Sequence, residues 1–343
     1  MIVEIKQDVF DVIHDFKGLK HLIQILTYKQ RYQLFIEYSL VKNSNDYKKL
    51  DISDREEIEA IYNEIINSGV DINPKYFVSV NNHQENYFNI DEAIRFFSQP
   101  VSIILENSLN DQYFLLAIIK FFDDSKEIQK HLNNGWIQFE NAGGCTNVEN
   151  FINSKLQSFN NLALHYNKNN CIYLRCFILL DSDKEFSNAP QKYEYEKLLP
   201  FLTANNIKNH ILEKRCMENY MPDEVYIDIS SNNLALTTWF NAYRFLNSEQ
   251  KDFLNIHNGF PKKDKAGNPI INRNDLPQSI QQLYVDVSES NYQILNKGFK
   301  LPNFKTEFPK NFDTNHQIHK STLQARCGTN ELQEIIDKII ELL

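Results

Sequence analysis

The chain has 343 residues, 42% of them hydrophobic and 24% charged, the balance of a folded protein rather than a disordered one. Its net charge of −9, from 45 acidic and 36 basic residues, argues against coating nucleic acid or an anionic membrane by charge alone. It is compatible with an acidic enzyme that meets phosphate through metal ions.

The opening MIVEIKQDVF lacks a basic stretch followed by an apolar run, so no signal peptide is expected. The most apolar stretch, 114–122, contains Lys120 and is far shorter than the roughly 20 residues of a membrane span. The five Cys (Cys145, Cys171, Cys176, Cys216 and Cys327) are odd in number and lack CxxC spacing. They read as reduced core thiols in a cytoplasmic protein, not as a disulfide framework or a zinc site.

Residues 1–97 read as a mostly helical unit. Segment 54–68 carries apolar residues at three- and four-residue spacing, with Ser53 and Asp54 at its start and Glu56 and Glu57 in its first turn. A second helical run, 90–97, ends before Pro100.

The texture changes at residue 98. VSIIL (101–105) is a short β-branched run expected to form a buried parallel strand, and 111–122 follows with helical periodicity. WIQF (136–139) predicts a second strand, ended by Ala142-Gly143-Gly144, and 147–159 a helix. CIYLRCFILL (171–180) predicts a third, longer strand, Tyr193–Ala204 another helix, and KNHILE (208–213) a fourth strand. This alternation predicts an α/β unit over 98–224 with a parallel sheet and right-handed crossovers. From 225 to 343 the chain reads as mostly helical, with a loop over 258–278 and an amphipathic end helix over 329–343.

Ligands bind open α/β sheets at the carboxyl ends of the strands. The residues leaving each predicted strand are strongly acidic. Glu106 follows the first strand, Glu140 the second, Asp181-Ser182-Asp183 the third, and Glu213 closes the fourth, with Lys214, Arg215 and Glu218 beyond. Carboxylates without His or Cys select hard cations such as Mg²⁺ or Mn²⁺, which in turn bind phosphate oxygens. His316 and His319 form an HxxH, but without helical pattern or a neighbouring Glu, so no metal site is expected there.

These features resemble a TOPRIM domain, the unit of topoisomerases, bacterial primases and certain nucleases. Its pattern is a Glu after the first strand and Asp-x-Asp after the third, with a Gly-containing turn between. Here they are Glu106 in VSIILE, Gly143-Gly144, and Asp181 and Asp183 in FILLDSD. HILEKRCMENYMP (210–222) resembles a stretch of nucleases of the overcoming-lysogenization-defect (OLD) type. The resemblance covers roughly a third of the chain. It departs from the pattern at Asn107, where many members have Gly, and in the spacing of Asp111 from Glu106.

The resemblance implies a TOPRIM-like parallel sheet flanked by helices and a Mg²⁺- or Mn²⁺-dependent nuclease acting on DNA or RNA. Metal ligation would fall to Glu106, Asp111, Asp181, Asp183 and Glu218. Catalysis would fall to Glu106, Asp181, Asp183 and Lys214, and phosphate binding to Gly143, Gly144 and Arg215. Glu185 stands where primases carry a further Asp. No GxxxxGK[ST] motif is present, so any ATPase would be a separate subunit. The resemblance further implies an effector of antiviral phage defence with a separate ATPase or retron partner, and a homo-oligomer is an open possibility. The alternative is a non-catalytic or conditionally active TOPRIM unit serving as a binding or sensor subunit of a larger defence complex.

Overall fold

Among the described residues, eight short strands pair into two separate sheets in which every pairing is parallel. The first sheet holds β1 (Ile2–Ile5), β2 (Gln33–Phe35), β3 (Tyr76–Val78) and β4 (Tyr87–Phe88), in the order β2-β1-β3-β4. The second holds β5 (Val101–Leu105), β6 (Ile137–Asn141), β7 (Cys176–Leu180) and β8 (Lys208–Ile211), in the order β6-β5-β7-β8. The computed structural model describes residues 1–69, 71–264 and 267–343. No helix among the described residues is long and apolar enough to cross a membrane.

The second sheet follows the expected strands closely. All five residues of β5 and all five of β7 are buried, as central strands covered on both faces must be. Their side chains divide by the two-residue alternation of a strand. Ile103, Leu105, Phe177 and Leu179 face the helix Ser108–Phe122 and the carboxyl-terminal helices Phe304–Thr314 and Glu331–Ile340. Ile104, Ile178 and Leu180 face Val148–Gln157 and Tyr193–Ala204. Each fully buried Ile or Leu contributes about 1.5–3 kcal/mol, so this sheet is a rigid base for what projects from its edge. Residues beyond 225 add helices to one face and share that core.

Two expectations change. Residues 1–97 contain the predicted helices as Ile52–Asn67 and Ile90–Ser98, but these flank a four-stranded sheet that the mostly helical reading did not include. The predicted strand 171–180 begins only at Cys176. Asn170–Tyr173 is instead a 3₁₀ turn, whose start is capped by Asn169 accepting from the Cys171 N–H at 3.3 Å.

Candidate active site

The register of β5 and β7 pairs Leu105 with Leu179, so Glu106 and Asp181 leave adjacent central strands at the same edge. Tyr195, buried in the first turn of Tyr193–Ala204, ties these ends together. Its hydroxyl donates to the Asp181 main-chain oxygen at 2.6 Å and to Glu106 Oε1 at 3.2 Å, sharing one proton between two acceptors. The Asp181 carboxylate turns to the 3₁₀ turn Met217–Tyr220, accepting from the Met217 N–H at 3.1 Å. Asp111 folds back over the first turn of Ser108–Phe122, its carboxylate accepting from the Asn107 N–H at 2.8 Å.

These groups feel one another. Burial, with the charges of Glu218 and Glu106, pushes the Asp111 carboxyl up to about 7, against the pull of its Asn107 hydrogen bond. Burial, then the charges of Glu218, Asp111, Glu106 and Asp183, holds Asp181 well above the usual carboxylate range. Glu106, Asp111, Asp181 and Glu218 therefore form one repelling cluster drawn from three chain segments. A cation among them would relieve both the desolvation and the repulsion. The donor set is all oxygen and suits Mg²⁺ or Mn²⁺. Among the described residues, no three Asp, Glu, His or Cys side chains already surround one point as a ready-made metal site.

Several other expected residues are engaged elsewhere. Asp183, at a left-handed φ of 49°, is exposed and ion-paired with Lys192. Lys214 is 5% exposed, and its Nζ lies 2.7 Å from Asp252 Oδ1, which Arg326 also binds at 2.5 Å. Burial first, then Arg326, lowers its pKa. Arg215 points its Nη1 toward the main-chain oxygens of Lys184 and Phe253, each at 3.5 Å, beside Glu185 and the carboxyl-terminal loops. The N–H groups of Gly143 and Gly144, expected to meet phosphate, are both spent. One donates to Asn141 Oδ1 at 2.9 Å and the other to the Glu106 main-chain oxygen at 3.1 Å. The positive φ values of 75° and 105° make the pair a turn that brings β6 back toward Glu106.

Glu140 lies within β6 and pairs with Lys155 at 2.6 Å, away from the cluster. Glu213 is exposed and accepts from the Thr329 hydroxyl at 3.0 Å. His319 caps the helix Lys320–Cys327, and His316 lies 3.6 Å from Asp228, so the HxxH holds no metal arrangement.

Sequence reasoning passed over two residues of this edge. One is Tyr195, whose helical, apolar surroundings read as core. The other is Lys192, a lone lysine in the segment before that helix. No thiol here is poised as a nucleophile. Burial raises Cys145 and Cys216 alike, and Cys216 donates to Asn219 Oδ1 at 2.9 Å.

Fold and site together define an α/β protein with a carboxylate cluster at the carboxyl edge of a parallel sheet. No known family, curated protein or solved structure matches the chain.

Proposed function

We propose that the chain is a metal-dependent phosphodiesterase of TOPRIM type, cutting DNA or RNA, with Glu106, Asp111, Asp181 and Glu218 holding Mg²⁺ or Mn²⁺. The observation that carries this reading is the gathering of these carboxylates, where burial first and then the charges of Glu218 and Glu106 push Asp111 up to about 7, at the edge where open α/β sheets bind ligands. A cluster so unfavourable when empty has a physical reason to exist if a cation completes it.

When bound, the cation would neutralise the phosphate and stabilise charge developing on its oxygens. Asp111, Asp181 and Glu218 would hold the ion by their carboxylate oxygens. Glu106, steadied by Tyr195, accepts the proton of the attacking water. Service as the effector of an anti-phage system beside a separate ATPase or retron component follows from the same resemblance.

The test is incubation with supercoiled plasmid, single-stranded DNA and tRNA, each with Mg²⁺, Mn²⁺ or EDTA. The expected result is cleavage that needs the ion and is lost in Asp181→Ala. Cleavage unchanged by that substitution, or absent from every substrate, contradicts the reading.

A further inference from the structure

Phosphodiester hydrolysis concentrates negative charge on the phosphoryl oxygens, and enzymes commonly set a cation against it. The residues expected to do so here, Lys214 and Arg215, are committed to Asp252 and to main-chain oxygens. Lys192 lies beside the same site, close enough to feel the charge of Glu106. Its Nζ pairs with Asp183, lies 3.8 Å from Cys145 Sγ, and sits 5.3 Å from the centroid of the Tyr195 ring. That ring is fixed by the hydroxyl contacts to Glu106 and Asp181. The Lys192 side chain is 20% exposed and that of Asp183 42%, so the ion pair is in reach of solvent, unlike the buried Lys214. An exposed pair is worth little, about 0–1 kcal/mol, and exchanges readily.

Resting on the nuclease reading, we propose that Lys192 is the catalytic cation of the site, exchanging Asp183 for a non-bridging oxygen of the scissile phosphate. In the hydrolysis it assists, a water oxygen–phosphorus bond forms and the phosphorus–leaving-oxygen bond breaks. The water's proton passes to Glu106, the leaving oxygen takes one from solvent, and Lys192 keeps its own throughout. Its work is to hold charge, and the ion pair with Asp183 stores it beside the site until substrate arrives. A purely structural counter-ion would behave differently on removal, because its loss would loosen the carboxylates it organises.

Lys192→Met and Lys192→Arg separate the two roles, with thermal unfolding confirming that both variants fold. Cleavage of the best nucleic-acid substrate is measured beside calorimetric titration of Mn²⁺ into protein free of nucleic acid. The expected result for Lys192→Met is a turnover fall of roughly 10²-fold, with Mn²⁺ bound at least as tightly as by the wild type, since a positive charge beside Glu106 has been removed. Lys192→Arg should recover much of the turnover. Wild-type turnover in Lys192→Met, or Mn²⁺ affinity falling in step with turnover, overturns the assignment while leaving the nuclease reading in place. A wild-type protein that cleaves nothing overturns both.

Discussion

The two sheets share one topology and differ in what leaves their strands. In each, the first strand in the chain lies between the second and the third, and the fourth extends the third. The first strand is followed by Lys6 in one sheet and Glu106 in the other. The third is followed by Ser79-Val80-Asn81 in one and Asp181-Ser182-Asp183 in the other. The acids of the first region have hydrogen-bond or ion-pair partners, although one oxygen of Asp8 is buried without one. Asp8 accepts from the Ser79 hydroxyl at 2.5 Å. The fully buried Glu92 takes Lys168 at 2.8 Å, the Tyr173 hydroxyl at 2.5 Å and the Asn89 N–H at 3.0 Å. In the second region, Asp111, Asp181, Glu106 and Glu218 face one another instead. One framework thus carries a balanced edge and a frustrated one, and the proposed chemistry is assigned to the frustrated edge.

The largest effect should come from breaking the balanced region. Lys168→Met strands Glu92 in the core and should cost about 3–5 kcal/mol, read by denaturant unfolding. Next is the frustrated edge itself. Asp181→Ala should lower metal-dependent cleavage by roughly 10²–10³-fold, whereas Ser79→Ala at the matching position of the first sheet should leave turnover near wild type. Equal losses in the two variants would erase the distinction.

How far this contrast was legible in the sequence depends on range. VSIIL and CFILL stand out because a strand buried on both faces must be continuously apolar. Their exits, Glu106 and Asp181, follow directly. The first sheet left no such trace, since its strands have only two to four residues, too few for a period to show. The burial of Lys214 left no local trace because its partner Asp252, and Arg326 beside it, lie far along the chain. The role of Lys192 depends on a loop conformation in which Asp183 takes a positive φ, and no spacing rule announces that.

Metal should act on one region only. At about one hundred times its dissociation constant, a bound ion stabilises by about 2.7 kcal/mol. Mn²⁺ should raise the Tm of the wild type and of Ser79→Ala, and not that of Asp181→Ala.

The smallest effect concerns pH. The Asp111 carboxyl titrates near 7 in the folded chain against an ordinary 3.8. As pH rises between these values the unfolded state gives up its proton first, so folding stability falls across that window and stays reduced above it. Asp111→Asn, which keeps an acceptor for the Asn107 N–H, should therefore match the wild type near pH 4. Above pH 7, without metal, it should melt at a higher temperature than the wild type, in the direction the raised Asp111 carboxyl sets.

The central claim is that the carboxylates at the edge of the second sheet are a divalent-cation site. Calorimetric titration of Mn²⁺ into metal-free wild type and into Asp181→Asn tests it most directly. The account predicts a saturable isotherm for the wild type that collapses in the variant. Superimposable isotherms for the two proteins would contradict it.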